Sequence, residues 1–133
     1  ELTIPGLVQS IILTRISGRT QVPEPEELGA LAAHKTSLCL YLSARHVDAA
    51  QAKLMEQYPA DTPVAICYRL GWPDEQIQLV SLGDMATATQ AADLIRTTLY
   101  VISPALNAAK ARSRLYNPDH THLFRPRGDQ GPA

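Results

Sequence analysis

Cysteine is scarce in this chain: two in 133 residues, Cys39 and Cys67, each inside an apolar run. Two such thiols make no disulfide framework; they read as small buried hydrophobes of a reducing compartment, which points to the cytoplasm. No apolar run approaches the roughly 20 residues of a membrane-spanning helix, and no secretory leader is visible. Lys and Arg number 12 against 13 Asp and Glu, for a net charge of -1. No overall field therefore steers the chain to nucleic acid or to an anionic membrane. The seven glycines are scattered, which leaves no glycine-rich phosphate loop among these residues. Internal repeats and low-complexity segments are absent too. The chain opens on Glu1 without methionine and enters LTIPGLVQSIILTR at once, so a fragment lacking an upstream part is expected.

What is present fits one globular domain. An apolar fraction of 45% over 133 residues suffices for a real core. Nine of the twelve basic residues are arginine, and Lys110, Arg112, Arg114, Arg125 and Arg127 crowd the last quarter. Arginine grips carboxylates and phosphates bidentately, whereas lysine acts as a point charge. A general compositional bias would produce the same excess. The segment SRLYNPDHTHLFRP, Ser113 to Pro126, carries too many specific side chains for a frayed end.

Periodicity gives the order of elements. Val8 to Arg15 is a β-branched apolar run between turn residues, hence a strand. Pro25 and the acids around it open a short helix over Glu26 to His34. Ser37 to Ser43 and Thr62 to Leu70 are apolar on both faces, the pattern of central strands. Between them, Val47 to Tyr58 repeats apolar residues at helical spacing. GWPDE makes a turn before the half-exposed strand Gln76 to Leu82. Asp84 is placed to N-cap a helix over Met85 to Arg96, and Thr98 to Ser103 is the last strand. The sum is β-α-β-α-β-β-α-β, an α/β domain with one mixed β-sheet flanked by helices.

Candidate chemistry is sparse. His120 and His122 beside Asp119 have no Cys or third His nearby, so no metal site is expected. Ser, Cys and His fall in no nucleophile motif, and no catalytic residue is assigned. Glu26–Glu27 and Asp74–Glu75 sit at a helix start and in a turn, where carboxylates are ordinarily solvated or capping. Strand ends remain: Tyr41 to Ala44, Thr62 to Ala65, and Ser103 to Leu106. Small apolar residues beside free backbone suit a flat ring such as adenine, although they equally suit core and turn.

Several segments carry a resemblance over almost the whole chain: LTIPGLVQSIILTRISGRTQVPE, LCLYLS, DTPVAICYRLGWPDEQI, SPAL and SRLYNPDHTHLFRP. The chain resembles the C-terminal domain of the S-adenosylmethionine-dependent tetrapyrrole methylases. Within them it is similar to the branch that methylates carbon 11 of precorrin-4 or cobalt-precorrin-4 in cobalamin biosynthesis. TPVA and WPDE are shared widely in that superfamily; the ILTRxxGRTxVPE opening and the SRLYxPxxTHxFRP tail belong to the branch.

The resemblance implies a cofactor cleft between two domains, of which residues 1–133 form the second. The first domain, with its glycine-rich loop, is missing, so this chain alone is expected to be inactive. Leu42 stands where many members carry a methionine against the adenine. Thr62, Pro63 and Ala65 match the segment lining the slot, and Ala105 with Leu106 match a main-chain pair at the adenine edge. Arg15 and Arg19 are expected to hold substrate carboxylates, with Arg114 and Arg125 as second choices or as ties between tail and sheet. Homodimers are common in the family. Another precorrin as substrate, or a non-catalytic module that binds an adenine ligand, remain the alternatives.

Overall fold

The computed structural model describes residues 1–16, 23–41, 44–92 and 98–106. Five strands and three helices follow the expected order: β1 (Ile11–Arg15), α1 (Leu28–Ala32), β2 (Ser37–Tyr41), α2 (Val47–Met55), β3 (Pro63–Tyr68), β4 (Gln76–Ser81), α3 (Met85–Ala91) and β5 (Thr98–Ile102). The strands form one sheet in the order β1-β2-β5-β3-β4. β1 and β2 are parallel, whereas β5 runs antiparallel to both β2 and β3. β4 folds back on β3 as a hairpin. The carboxyl ends of β1, β2 and β3 therefore share one edge of the sheet, and the carboxyl end of β5 lies at the other.

Burial follows this placement. β2 and β3, apolar on both faces, are interior strands, while β1 and β4 are the half-exposed outer ones. One face, bearing Leu38, Leu40, Val64, Ile66, Tyr100 and Ile102, receives Leu28 of α1, Leu54 of α2 and Met85 of α3. All three helices pack on that face, because each presents only one apolar stripe. The opposite face carries a smaller cluster of Cys39, Ala65, Cys67, Val101 and Leu106, with Leu2 against it. Two polar groups on the helical side are satisfied internally. The Tyr100 and Thr89 hydroxyls bond at 3.0 Å, and Tyr58 donates to the Thr36 carbonyl at 2.7 Å.

Several boundaries differ from the sequence reading, each for a local reason. β1 starts at Ile11 because Val8 turns away to bridge Ile4 around Gly6, whose φ is +79°. The first helix divides at Glu27, whose extended backbone (ψ 147°) separates a single 3-10 turn, Glu24–Glu26, from α1. α2 ends at Met55, which is exposed, while Tyr58 beyond it stays buried. Asp84 occupies the N-cap position of α3 without a side-chain cap bond. Gln51 of α2 replaces it, its Oε1 accepting from the Ala86 N–H at 2.7 Å. A free helix-terminal donor is thus satisfied across the structure rather than locally.

Two consequences are testable. Leu54 is fully buried between α2 and the sheet, so Leu54→Ala is expected to cost about 3 kcal/mol in denaturant unfolding, mostly by cavity formation. Burial raises the Tyr58 hydroxyl from 10.0 to about 12, with a hydrogen bond from the Thr36 side chain acting in the opposite direction. A folded-state value above the unfolded one favours the folded state at lower pH, so stability should fall as pH rises from 10 to 12. Tyr58→Phe should flatten that decline in unfolding titrations.

Candidate functional site

The topology separates the candidate residues into two groups. Thr62, Pro63, Ala65, Ala105 and Leu106 come together near the edge holding the amino end of β3 and the carboxyl end of β5. Arg15 and Tyr41 sit side by side at the other edge, where β1 and β2 end in register. Four residue steps of β2 separate Tyr41 from Ser37, about 13 Å at the usual rise of a strand. Leu42, Arg19, Arg114 and Arg125 lie outside the described residues, as do His120, His122 and the rest of the tail.

The first edge is saturated from within. Thr62 donates its N–H to Pro59 O at 3.0 Å and accepts from Leu82 N at 2.8 Å, and Pro63 O accepts from Ser103 N at 3.2 Å. Ser37 Oγ donates to the Leu2 carbonyl, so the proton in its 2.6 Å contact with Ser103 Oγ comes from Ser103. Ser103 Oγ in turn accepts from Ala105 N at 3.0 Å, and Leu106 N donates to Ser103 O at 3.2 Å. Ala105 and Leu106 are themselves buried. Both main-chain N–H groups of this pair are thus given to Ser103, one to its hydroxyl and one to its carbonyl. The hydroxyl relay is a structural tie joining Leu2, β2, β5 and the turn after it.

Among the described residues, side chains at the second edge are more exposed. Tyr41 is 42% exposed, and Leu13 on the same sheet face 65%. An Arg15 guanidinium nitrogen donates to Ile16 O at 3.2 Å. On the far side of β5, Tyr68 closes β3 level with Thr98, and Arg69 follows in the left-handed region at φ +51°. That conformation suits glycine and is uncommon for any other residue. The Arg69 guanidinium lies 4.1 Å from the centre of the Trp72 ring, and its Nε donates to Asp74 at 2.9 Å. The hydrogen bond holds the Asp74 carboxyl below its usual range and raises the guanidinium. Gly71, at φ +84°, donates its N–H to Glu75 Oε1 at 2.9 Å. Sequence reading missed this turn as a site feature, though an aromatic between Gly and Pro was a visible signal.

Neither cysteine is a nucleophile. Burial raises the Cys39 thiol, and burial, then the charges of Cys39 and Glu75, raise Cys67 to about 11. Only the thiolate attacks, and little forms near neutrality. Among the described residues no group of three His, Cys, Asp or Glu could hold a metal ion, and no helix is long and apolar enough to cross a membrane.

An open carboxyl edge beside a mixed sheet is a frequent ligand position in α/β proteins. The model of the tetrapyrrole (corrin/porphyrin) methylases matches residues 1–86. The chain belongs to that family. Among its curated relatives are precorrin-4 C(11)-methyltransferase of Pseudomonas aeruginosa, 40% identical over 95% of this chain and 51% of the relative. Cobalt-precorrin-4 C(11)-methyltransferase of Priestia megaterium is 37% identical over 94% and 50%. The chain thus spans about half the length of the curated relatives it matches.

The X-ray structure of the cobalamin biosynthetic enzyme cobalt precorrin-4 methyltransferase, CbiF, superposes with a TM-score of 0.77 at 37% identity, over 80% of this chain and 45% of that one. Uroporphyrin-III C-methyltransferase of Thermus thermophilus, solved with S-adenosylhomocysteine, shares the fold with a TM-score of 0.63 at 17% identity, over 81% and 46%.

The buried thiols give a direct check. A disulfide reagent at pH 8 should leave the native chain unmodified and titrate two thiols per chain in denaturant. Rapid native modification would contradict the burial of Cys39 and Cys67.

Proposed function

We propose that this chain is the second half of an S-adenosylmethionine-dependent methyltransferase that methylates carbon 11 of precorrin-4 or cobalt-precorrin-4 in cobalamin biosynthesis. The observation that carries the reading is identity of 37–40% along nearly the whole chain to curated enzymes of that name. The cofactor's adenine is assigned to the open edge after β2, where half-exposed Tyr41 precedes Leu42. Its chemical contribution is a sulfonium methyl group that is already electrophilic. The substrate carbon forms the new C–C bond as the S–C bond breaks, S-adenosylhomocysteine leaves, and a proton departs from the macrocycle.

This chain's residues bind and orient rather than react. Arg15, at the open edge, and Arg19 are assigned to the carboxylates fringing the macrocycle, with Arg114 and Arg125 as further candidates. Thr62, Pro63, Ala65, Ala105 and Leu106 act indirectly, by fixing β3 against β5. Residues 1–133 act as one domain, and the first domain, equivalent to the half of the relatives outside this match, supplies the rest of the cleft. Pairing of two copies is supported by Ile11 and Leu13, exposed on one face of the outer strand β1.

The test is methyl transfer by the protein as its gene encodes it, scored by product mass with both substrates in parallel. One of them should gain a single methyl at carbon 11, and residues 1–133 alone should give no product. Binding of S-adenosylhomocysteine without transfer to either would remove the substrate assignment. Arg15→Ala should raise KM for the tetrapyrrole about tenfold, the effect of one lost charge-assisted hydrogen bond, and leave KM for S-adenosylmethionine unchanged.

A further inference from the structure

The turn between β3 and β4 spends its polar groups in an unusual way. Arg69 holds a left-handed backbone, its guanidinium is sandwiched between the Trp72 ring and Asp74, and Gly71 is tied to Glu75. Two more backbone bonds, Trp72 N to Arg69 O and Glu75 N to Trp72 O, each at 3.0 Å, close the turn. All of this ordering supports no burial. Trp72 remains 54% exposed and Leu70 44%.

A rigid exposed aromatic beside a second apolar side chain is the usual composition of a binding anchor. Its rotamers are already fixed, so little further entropy is lost when a partner covers it. The turn stands at the carboxyl end of β3, on the same edge as Tyr41 and Arg15, across β5 from them.

Charge decides what it fits. Arg69 is spent on Asp74, and the turn holds one cation against two carboxylates, Asp74 and Glu75, a net of -1. A carboxylate-fringed macrocycle would be repelled there; an apolar protein surface would not. The chain spans about half the length of its curated relatives, and the half outside the match is a protein surface of the size such an anchor needs.

We infer that the β3–β4 turn, Arg69 to Glu75, is a docking element for the other half of the enzyme, with Trp72 seated in an apolar pocket of that half. This rests on the two-domain cleft proposed above. Arg69 and Gly71 are positioning residues that present the indole.

Trp72 is the single tryptophan of these residues, so its fluorescence reports directly on what covers it. The experiment uses the protein as its gene encodes it, with any other tryptophan replaced by phenylalanine. Emission should be blue-shifted and quenching by acrylamide should fall about fivefold relative to free tryptophan, as for a desolvated anchor. The protection should not change with protein dilution or with added ligand.

Water-exposed emission overturns the inference. Protection that is lost on dilution in step with dimer dissociation assigns the turn to a second copy and overturns it as well. Protection only when tetrapyrrole is added assigns the turn to substrate, which overturns the inference too. Binding of S-adenosylhomocysteine, measured in the same preparation, separates the two claims. If it binds while Trp72 stays exposed, the docking inference fails alone; if it does not bind, the cofactor reading fails with it.

Discussion

The pairing of β5 between β2 and β3 is the constraint on which the rest of this structure depends. Tyr100 and Ile102 of β5 are fully buried, and each stands in register with residues of both neighbours. Because β5 runs against both, the turn after it is brought to the amino end of β3, far from Tyr41. Removing β5 would leave two separate strand pairs, β1-β2 and β3-β4, neither able to cover α2. Its direction also decides which loops can share a ligand.

The two edges that result are chemically different. At one, buried Ser37 and Ser103 pass hydrogen bonds from the Ala105 N–H to the Leu2 carbonyl, so four parts of the chain are joined through two hydroxyls. Each hydroxyl is fully buried, where an unpaired one would be costly, and the relay leaves neither unpaired. At the other, Tyr41 and Trp72 are 42% and 54% exposed, and Arg15 lies beside Tyr41 at the ends of β1 and β2. A domain that ties one edge to itself and leaves aromatic side chains half-exposed at the other is arranged to receive something at the second.

Much of this was legible in the sequence. Two-faced apolarity of SLCLY and PVAIC marked the interior strands, and alternation in QIQLVS marked an outer one. Motif segments carried the family over almost the whole chain. Strand direction was not legible, because the antiparallel insertion of β5 depends on long-range packing rather than on any local pattern. How the candidate residues group in space was not legible for the same reason. Strand ends that look alike in sequence, around Tyr41 and around Ala105, fall on opposite edges. Asp84 sits at the N-cap as read but makes no cap bond: a glutamine 35 residues before Ala86 supplies the acceptor that a local reading assigns to the nearest acid.

The central claim is that the adenine ring meets this domain at the edge after β2, and it can be tested by position. A photoreactive azidoadenine analogue of S-adenosylhomocysteine would be bound to the protein as its gene encodes it, irradiated, and the labelled peptide identified by mass. The account predicts label in the segment running on from Tyr41 through Leu42, suppressed by excess S-adenosylhomocysteine. Suppressible label on the Ser103–Leu106 turn would contradict it, and would mean that the Ser37–Ser103 relay opens when cofactor binds.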